Sequence, residues 1–94
     1  MNEGIQTIHI IVQGKVQGVF FRQTTKEKAG ELGITGYVMN AADDDVHIVA
    51  TGAKEQLEKL ASWCRVGPPR AKVENVITEE IPLQPFDSFN IVRY

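Results

Sequence analysis

With one cysteine and two histidines in 94 residues, the chain lacks the raw material for two common small-protein strategies. Cys64 has no partner for an internal disulfide, and no Cys/His group has zinc-ligand spacing, so neither a disulfide-stapled secreted scaffold nor a zinc-held domain is expected. A reducing, cytoplasmic setting fits better. Excess positive charge is also missing: 10 Lys and Arg face 12 Asp and Glu, a net charge of −2. No global field therefore draws nucleic acid or an anionic membrane, and any anion binding has to be local. No apolar run approaches the ~20 residues that span a bilayer, and the start Met1-Asn2-Glu3-Gly4 lacks a signal-peptide pattern, so no membrane contact is expected. A G-x-G-x-x-G string is absent, and Val19 rather than Lys follows Gly18, which excludes dinucleotide and Walker-type loops. No Ser, Cys or Lys stands beside an evident base.

What is present is enough apolar residue, 43%, for one core, and a single domain over residues 1–94 is expected. Ile8, Ile10 and Val12 alternate as a first strand. Thr25, Ala29 and Leu32 then recur at helical spacing, giving a helix from Arg22 to Leu32 that Gly33 ends. Thr35–Asn40 and Val46–Thr51 read as a hairpin joined by the polar Ala41–Asp45. Leu57, Leu60, Ala61 and Cys64 mark a second helix, closed by Gly67 and Pro68, with Trp63 at the core's edge. Ala71–Glu80 is a strand whose alternation slips between Val73 and Val76, the sign of a bulge, and Ser88–Arg93 is a last strand. This β-α-β-β-α-β order, with a terminal strand, predicts an α+β fold: a ferredoxin-like α/β plait with two helices on one face of an antiparallel sheet of four to five strands.

The densest chemical signal is Gly14-Lys15-Val16-Gln17-Gly18-Val19-Phe20-Phe21-Arg22, between the first strand and the first helix. Two glycines allow a tight turn that aims successive N–H groups inward, and the helix adds its positive end. Arg22, in the first turn, supplies a planar charged fork suited to phosphate or carboxylate. Read from residues alone, the loop favours anion binding only slightly over plain turning.

The same string resembles the acylphosphatase signature, G-x-V-Q-G-V-x-F-R, at every specified position. Gly36-Tyr37-Val38-Met39-Asn40 is similar to that family's second motif, and the resemblance runs through Gly52, Gly67-Pro68-Pro69-Arg70 and Arg93-Tyr94. It implies a metal-independent hydrolase without a cofactor, cleaving small-molecule acyl phosphates to carboxylate and inorganic phosphate. It further implies that Arg22 and the backbone of Val16, Gln17, Gly18, Val19, Phe20 and Phe21 hold the phosphoryl oxygens, and that Asn40 orients the attacking water. Spacing alone would instead make Asn40 a hairpin residue bonded to its own backbone. Gln17 and Phe20 are expected to shape the loop, with Phe21 anchoring it in the core. A monomer is expected. The competing reading is a non-catalytic phosphate or carbamoyl-phosphate-binding module of the same fold. RNA binding, which this plait also serves, would need paired aromatics where the central strands offer His9, Ile11, His47 and Val49.

The other polar groups are expected to be inert. His9 and His47 fall on the polar strand face and could approach each other. Asp43-Asp44-Asp45 reads as a solvated turn whose three carboxylates do not converge like calcium ligands. Cys64 reads as a small buried hydrophobe. Two departures from the resembling family stand out: Asp44 where Gly is common, and a C-terminal ending one residue longer, which puts in question a terminal carboxylate that would help hold Arg22.

Overall fold

Alternating Ile8, Ile10 and Val12 build the strand around which the rest is organised. In the computed structural model, which describes residues 4–93, this is β1 (Ile5–Lys15). It is followed by α1 (Phe21–Leu32), β2 (Thr35–Asn40), β3 (Val46–Ala53), α2 (Lys54–Cys64), β4 (Lys72–Ile81) and β5 (Phe89–Val92). The strands form one sheet in the order β4-β1-β3-β2-β5. β1 lies antiparallel between β3 and β4, and β2 is antiparallel to β3. The architecture is a ferredoxin-like α+β plait.

One expectation needs correction: the sheet is mixed, not wholly antiparallel, because β5 runs parallel to β2 with Val38 opposite Ile91. The cause is where the chain goes after β4. β4 and β5 occupy opposite edges, so residues 82–88 cross the sheet, and β5 reaches an edge strand that already runs its way. The crossing is tied down midway. Thr7 and Thr51, both buried, share a 2.6 Å hydroxyl contact, and Thr51 Oγ1 donates to the Gln84 carbonyl at 2.6 Å. The Gln84 N–H donates to Thr7 Oγ1 at 2.9 Å. Phe86 meets the Tyr37 ring edge-on beside it.

The core lies between the sheet and the helices. Ile10, Val12, Val38, Val46 and Ile48 project from the sheet onto Phe21 and Ala29 of α1 and Leu57, Leu60 and Cys64 of α2. Each large side chain removed from water in this way contributes roughly 1.5–3 kcal/mol. α1 closes at Gly33, which is left-handed, and the Ile34 N–H donates to the Ala29 carbonyl at 2.9 Å. The helix begins at Phe21, one residue before the expected start, and Phe20 at its N-cap is itself left-handed with φ 64°.

The slip expected in β4 is a bulge. Gln13 faces Asn75 and Gly14 faces Val73, which leaves Glu74 as the extra residue. A Cβ on Gly14, at φ 124°, would collide with the Lys72 carbonyl oxygen. The bulge in β4 therefore needs glycine opposite it, at the end of β1 just before the loop to α1 begins.

Candidate active site

The loop after β1 and the first turn of α1 form the wall of an open hollow of about 420 Å³. Val16, Gly18, Phe20, Phe21, Arg22 and Asn40 line it, and Gln23, Ile91 and Arg93 complete the rim. The topology explains the assembly. β1, β2 and β5 all end at the same end of the sheet, so their last residues and the start of α1 converge there.

The backbone of this wall has a distinctive property. Outside the regular helices and strands, no hydrogen bond among the described residues uses an N–H of Val16 to Gln23 as donor. The first intrahelical bond is made by the Thr24 N–H, to the Phe20 carbonyl at 3.0 Å, and the Thr24 hydroxyl adds a second donor to that carbonyl at 2.8 Å. The orphan donors of a helix start thus run on without a break into the preceding loop, where Gly18 turns at φ 73° with open space around it. Such a run of N–H groups, together with the positive end of α1, is a nest for an anion. Two cations stand at its edge. Arg22 is half-buried and Arg93 exposed, and neither guanidinium forms an ion pair or hydrogen bond with another described residue.

Asn40, the last residue of β2, lines the hollow with a side-chain Oδ1 that is buried and without a hydrogen-bond partner among the described residues. The hairpin-capping role that spacing alone suggested is taken by Asp43 instead, whose Oδ1 accepts the Asp45 N–H at 3.1 Å.

Gln17 and Val19 do not face the hollow with their side chains. Val19 is in the core. The Gln17 amide crosses to the β2–β3 hairpin and donates to the Ala41 and Asp45 carbonyls, each at 2.9 Å. It pins the loop to the strand end that carries Asn40. Phe21 is buried, meets Trp63 at 5.3 Å between centroids, and anchors the loop from beneath. Phe20 is not a packing residue: it is 74% exposed at the mouth of the hollow. Gln23, Ile91 and Arg93 were not among the expected site residues. Ile91 and Arg93 arrive only through the parallel pairing of β5, and a local motif does not encode that pairing. Tyr94 and the terminal carboxylate lie outside the described residues.

Cys64 sits away from this site at the end of α2. Burial pushes its thiol up to about 12, with Arg65 opposing weakly, so the protonated form is held and nucleophilic chemistry is disfavoured.

The chain is similar to known proteins in both sequence and fold. The acylphosphatase family model matches residues 8–91. An acylphosphatase of Marinobacter nauticus is 50% identical over 82 residues, which is 86% of this chain and 89% of the relative. The solved structure of an acylphosphatase from Coxiella burnetii superposes with a TM-score of 0.93 at 42% identity, covering 96% of this chain and 95% of that one. Full-length HypF, solved in a phosphate- and nucleotide-bound form, matches 95% of this chain with 12% of its own length, at 26% identity and a TM-score of 0.88.

Proposed function

Because the chain belongs to the acylphosphatase family, we propose that its loop Val16–Arg22 binds the phosphoryl group of an acyl phosphate and that Asn40 positions the water that attacks it. The overall reaction is hydrolysis of the carboxyl–phosphate bond to a carboxylate and inorganic phosphate. The observation that supports the residue assignment is the row of backbone N–H groups from Val16 to Gln23, for which no acceptor outside the regular helices and strands is found among the described residues.

The chemistry asks for little else. The leaving carboxylate has a pKa of roughly 4 as an acid, so it departs with its electron pair without a proton from the enzyme. In a loose phosphoryl-transfer transition state the protein's tasks are to hold the group and stabilise its charge. The N–H row and the Arg22 fork hold the equatorial oxygens, and Arg93 adds a second cation at the rim. Asn40 Oδ1 accepts a hydrogen bond from the water and aligns it with phosphorus. As the new O–P bond forms and the acyl O–P bond breaks, the water's proton passes to a phosphoryl oxygen. None of these steps needs a metal ion. The proposed setting is cytoplasmic and the working unit a monomer, since one chain supplies the whole hollow and its single thiol is buried.

Benzoyl phosphate should be cleaved in the presence of EDTA, with ordinary phosphomonoesters left intact. Arg22→Ala should raise KM and lower kcat together. Asn40→Ala should lower kcat about 10²-fold with KM nearly unchanged, the scale of losing one preorganised transition-state contact. A fully active Asn40→Ala enzyme would refute the water-positioning role. Phosphate binding without any turnover would instead favour the binding-module reading, to which the HypF likeness gives a precedent of size and fold.

A further inference from the structure

On the sheet face away from the helices, the β2–β3 hairpin brings Asp43 and Asp45 over His47. One ligand-capable atom from each of the three lies within 4.8 Å of the others. His47 Nε2 is buried, has no hydrogen-bond partner among the described residues, and faces Asp43 Oδ2 at 3.9 Å. Of the three consecutive carboxylates, Asp43 and Asp45 converge on the imidazole while Asp44, at φ 72°, is not part of the group. We propose that Asp43, Asp45 and His47 bind a divalent transition-metal cation, with His47 Nε2 and one oxygen of each carboxylate as ligands.

A contact outside the cluster bears on which way His47 presents itself. Its Nδ1 lies 3.0 Å from His9 Nε2, and His9 Nδ1 in turn faces Glu79 Oε1 at 3.8 Å. For two neutral rings, the 3.0 Å contact allows two proton placements, and only one leaves His47 Nε2 free to ligate a cation. In that placement His9 carries its proton on Nδ1, toward the Glu79 carboxylate, which leaves His9 Nε2 an acceptor. His47 must then donate from Nδ1, and its Nε2 lone pair is left pointing at Asp43 and Asp45. The opposite placement puts the His47 proton on Nε2, toward Asp43 at 3.9 Å, so a bound cation selects the first placement. Glu79 and His9 thus stand behind His47 as an outer carboxylate and imidazole stand behind a metal-ligating histidine.

In the first placement three acceptors converge with no donor between them, an arrangement that a cation satisfies. The two carboxylates are already steered: Asp43 Oδ1 is held by the Asp45 N–H, and Asp45 Oδ2 accepts from the Gln13 amide at 3.3 Å. Ligand atoms around tetrahedral zinc sit about 3.4 Å apart, so a modest rotation of the exposed Asp43 closes the set. One nitrogen and two oxygen ligands with room for water suit zinc or cobalt, and the imidazole disfavours magnesium and calcium. None of these residues lines the hollow, so this site is separate from the one that acts on acyl phosphates.

The test is calorimetric titration of the tag-free chain with zinc chloride and cobalt chloride near neutral pH. His9 and His47 are its only histidines, so a stray imidazole cannot imitate the result. One saturable ion per chain is expected, with a shift of the His47 Nε2 resonance in ¹⁵N NMR and magnesium at least tenfold weaker. His47→Gln should abolish binding, and Asp43→Asn and His9→Asn should each weaken it roughly 10- to 100-fold, with circular dichroism confirming that every variant is folded. Failure of the wild-type chain to bind either ion below about 1 mM, or binding by a folded His47→Gln chain as tight as wild type, would overturn the proposal.

Discussion

Replacing Gln17 by Ala removes two hydrogen bonds that join the loop Val16–Arg22 to the β2–β3 hairpin, and the structure sets the size of the loss. Each bond runs 2.9 Å to a backbone carbonyl, Ala41 and Asp45, and a typical bond of this kind contributes roughly 0.5–1.5 kcal/mol net. Neither carbonyl would be left bare. The Asp45 carbonyl still accepts the Ala41 N–H at 2.9 Å, and the Ala41 carbonyl still accepts the Asp44 N–H at 3.3 Å. The cost therefore belongs toward the lower part of the summed range, about 1–2 kcal/mol, measured as a fall in urea midpoint at unchanged slope. Gln17→Glu should cost more than Gln17→Ala, because a carboxylate would face two carbonyl oxygens where an amide donated to both. Activity adds an independent reading. With the loop released from the strand end that carries Asn40, kcat/KM should drop about tenfold or more while the CD spectrum stays native. A Gln17→Ala protein within about 0.3 kcal/mol of wild type, or a glutamate variant as stable as the alanine one, would refute the reasoning.

Phe20→Gly should leave stability nearly unchanged, because relief of a left-handed non-glycine residue offsets added chain entropy. It should raise KM for benzoyl phosphate severalfold more than for acetyl phosphate if the exposed ring supports the acyl group; an unchanged ratio would remove that role. Thr25 is wholly buried in α1 with its hydroxyl oxygen unpaired among the described residues, so Thr25→Val should stabilise the fold by about 1 kcal/mol in urea denaturation. Cys64 predicts the alkaline limit. Its folded thiol titrates near 12 against 9.0 for the free group, so its stabilising contribution is complete below 9 and is lost as pH rises through that interval. The loss amounts to about 1.4 kcal/mol per pH unit, and Cys64→Ala should flatten stability against pH by that slope.

How much of this could be seen in the sequence depended on whether the information was local. The cradle from Gly14 to Arg22 is one contiguous stretch, so its glycines, helix start and arginine were readable together. The helices followed from Thr25 and Ala29, and from Leu57, Leu60 and Cys64, whose spacing survives without tertiary knowledge. The slip near Val73 announced a bulge, although only the pairing shows Glu74 to be the extra residue and Gly14 its necessary partner. The strand Phe89–Val92 gave no hint of direction, because four residues do not specify a partner, and with its direction went the arrival of Ile91 and Arg93. Likewise the targets of Gln17 lie 24 and 28 residues away, and the meeting of Asp43, Asp45 and His47 depends on the left-handed turn at Asp44.

On the proposed site assignment, the parallel docking of β5 also makes turnover a gauge of completed folding. α1 with its preceding loop can form from near neighbours, but Asn40 joins it only after β2 has zipped onto β3, and Arg93 only after the chain has crossed the sheet and laid down its final strand. Helical signal can therefore return early during refolding from urea, whereas catalysis has to wait for the slowest long-range closure.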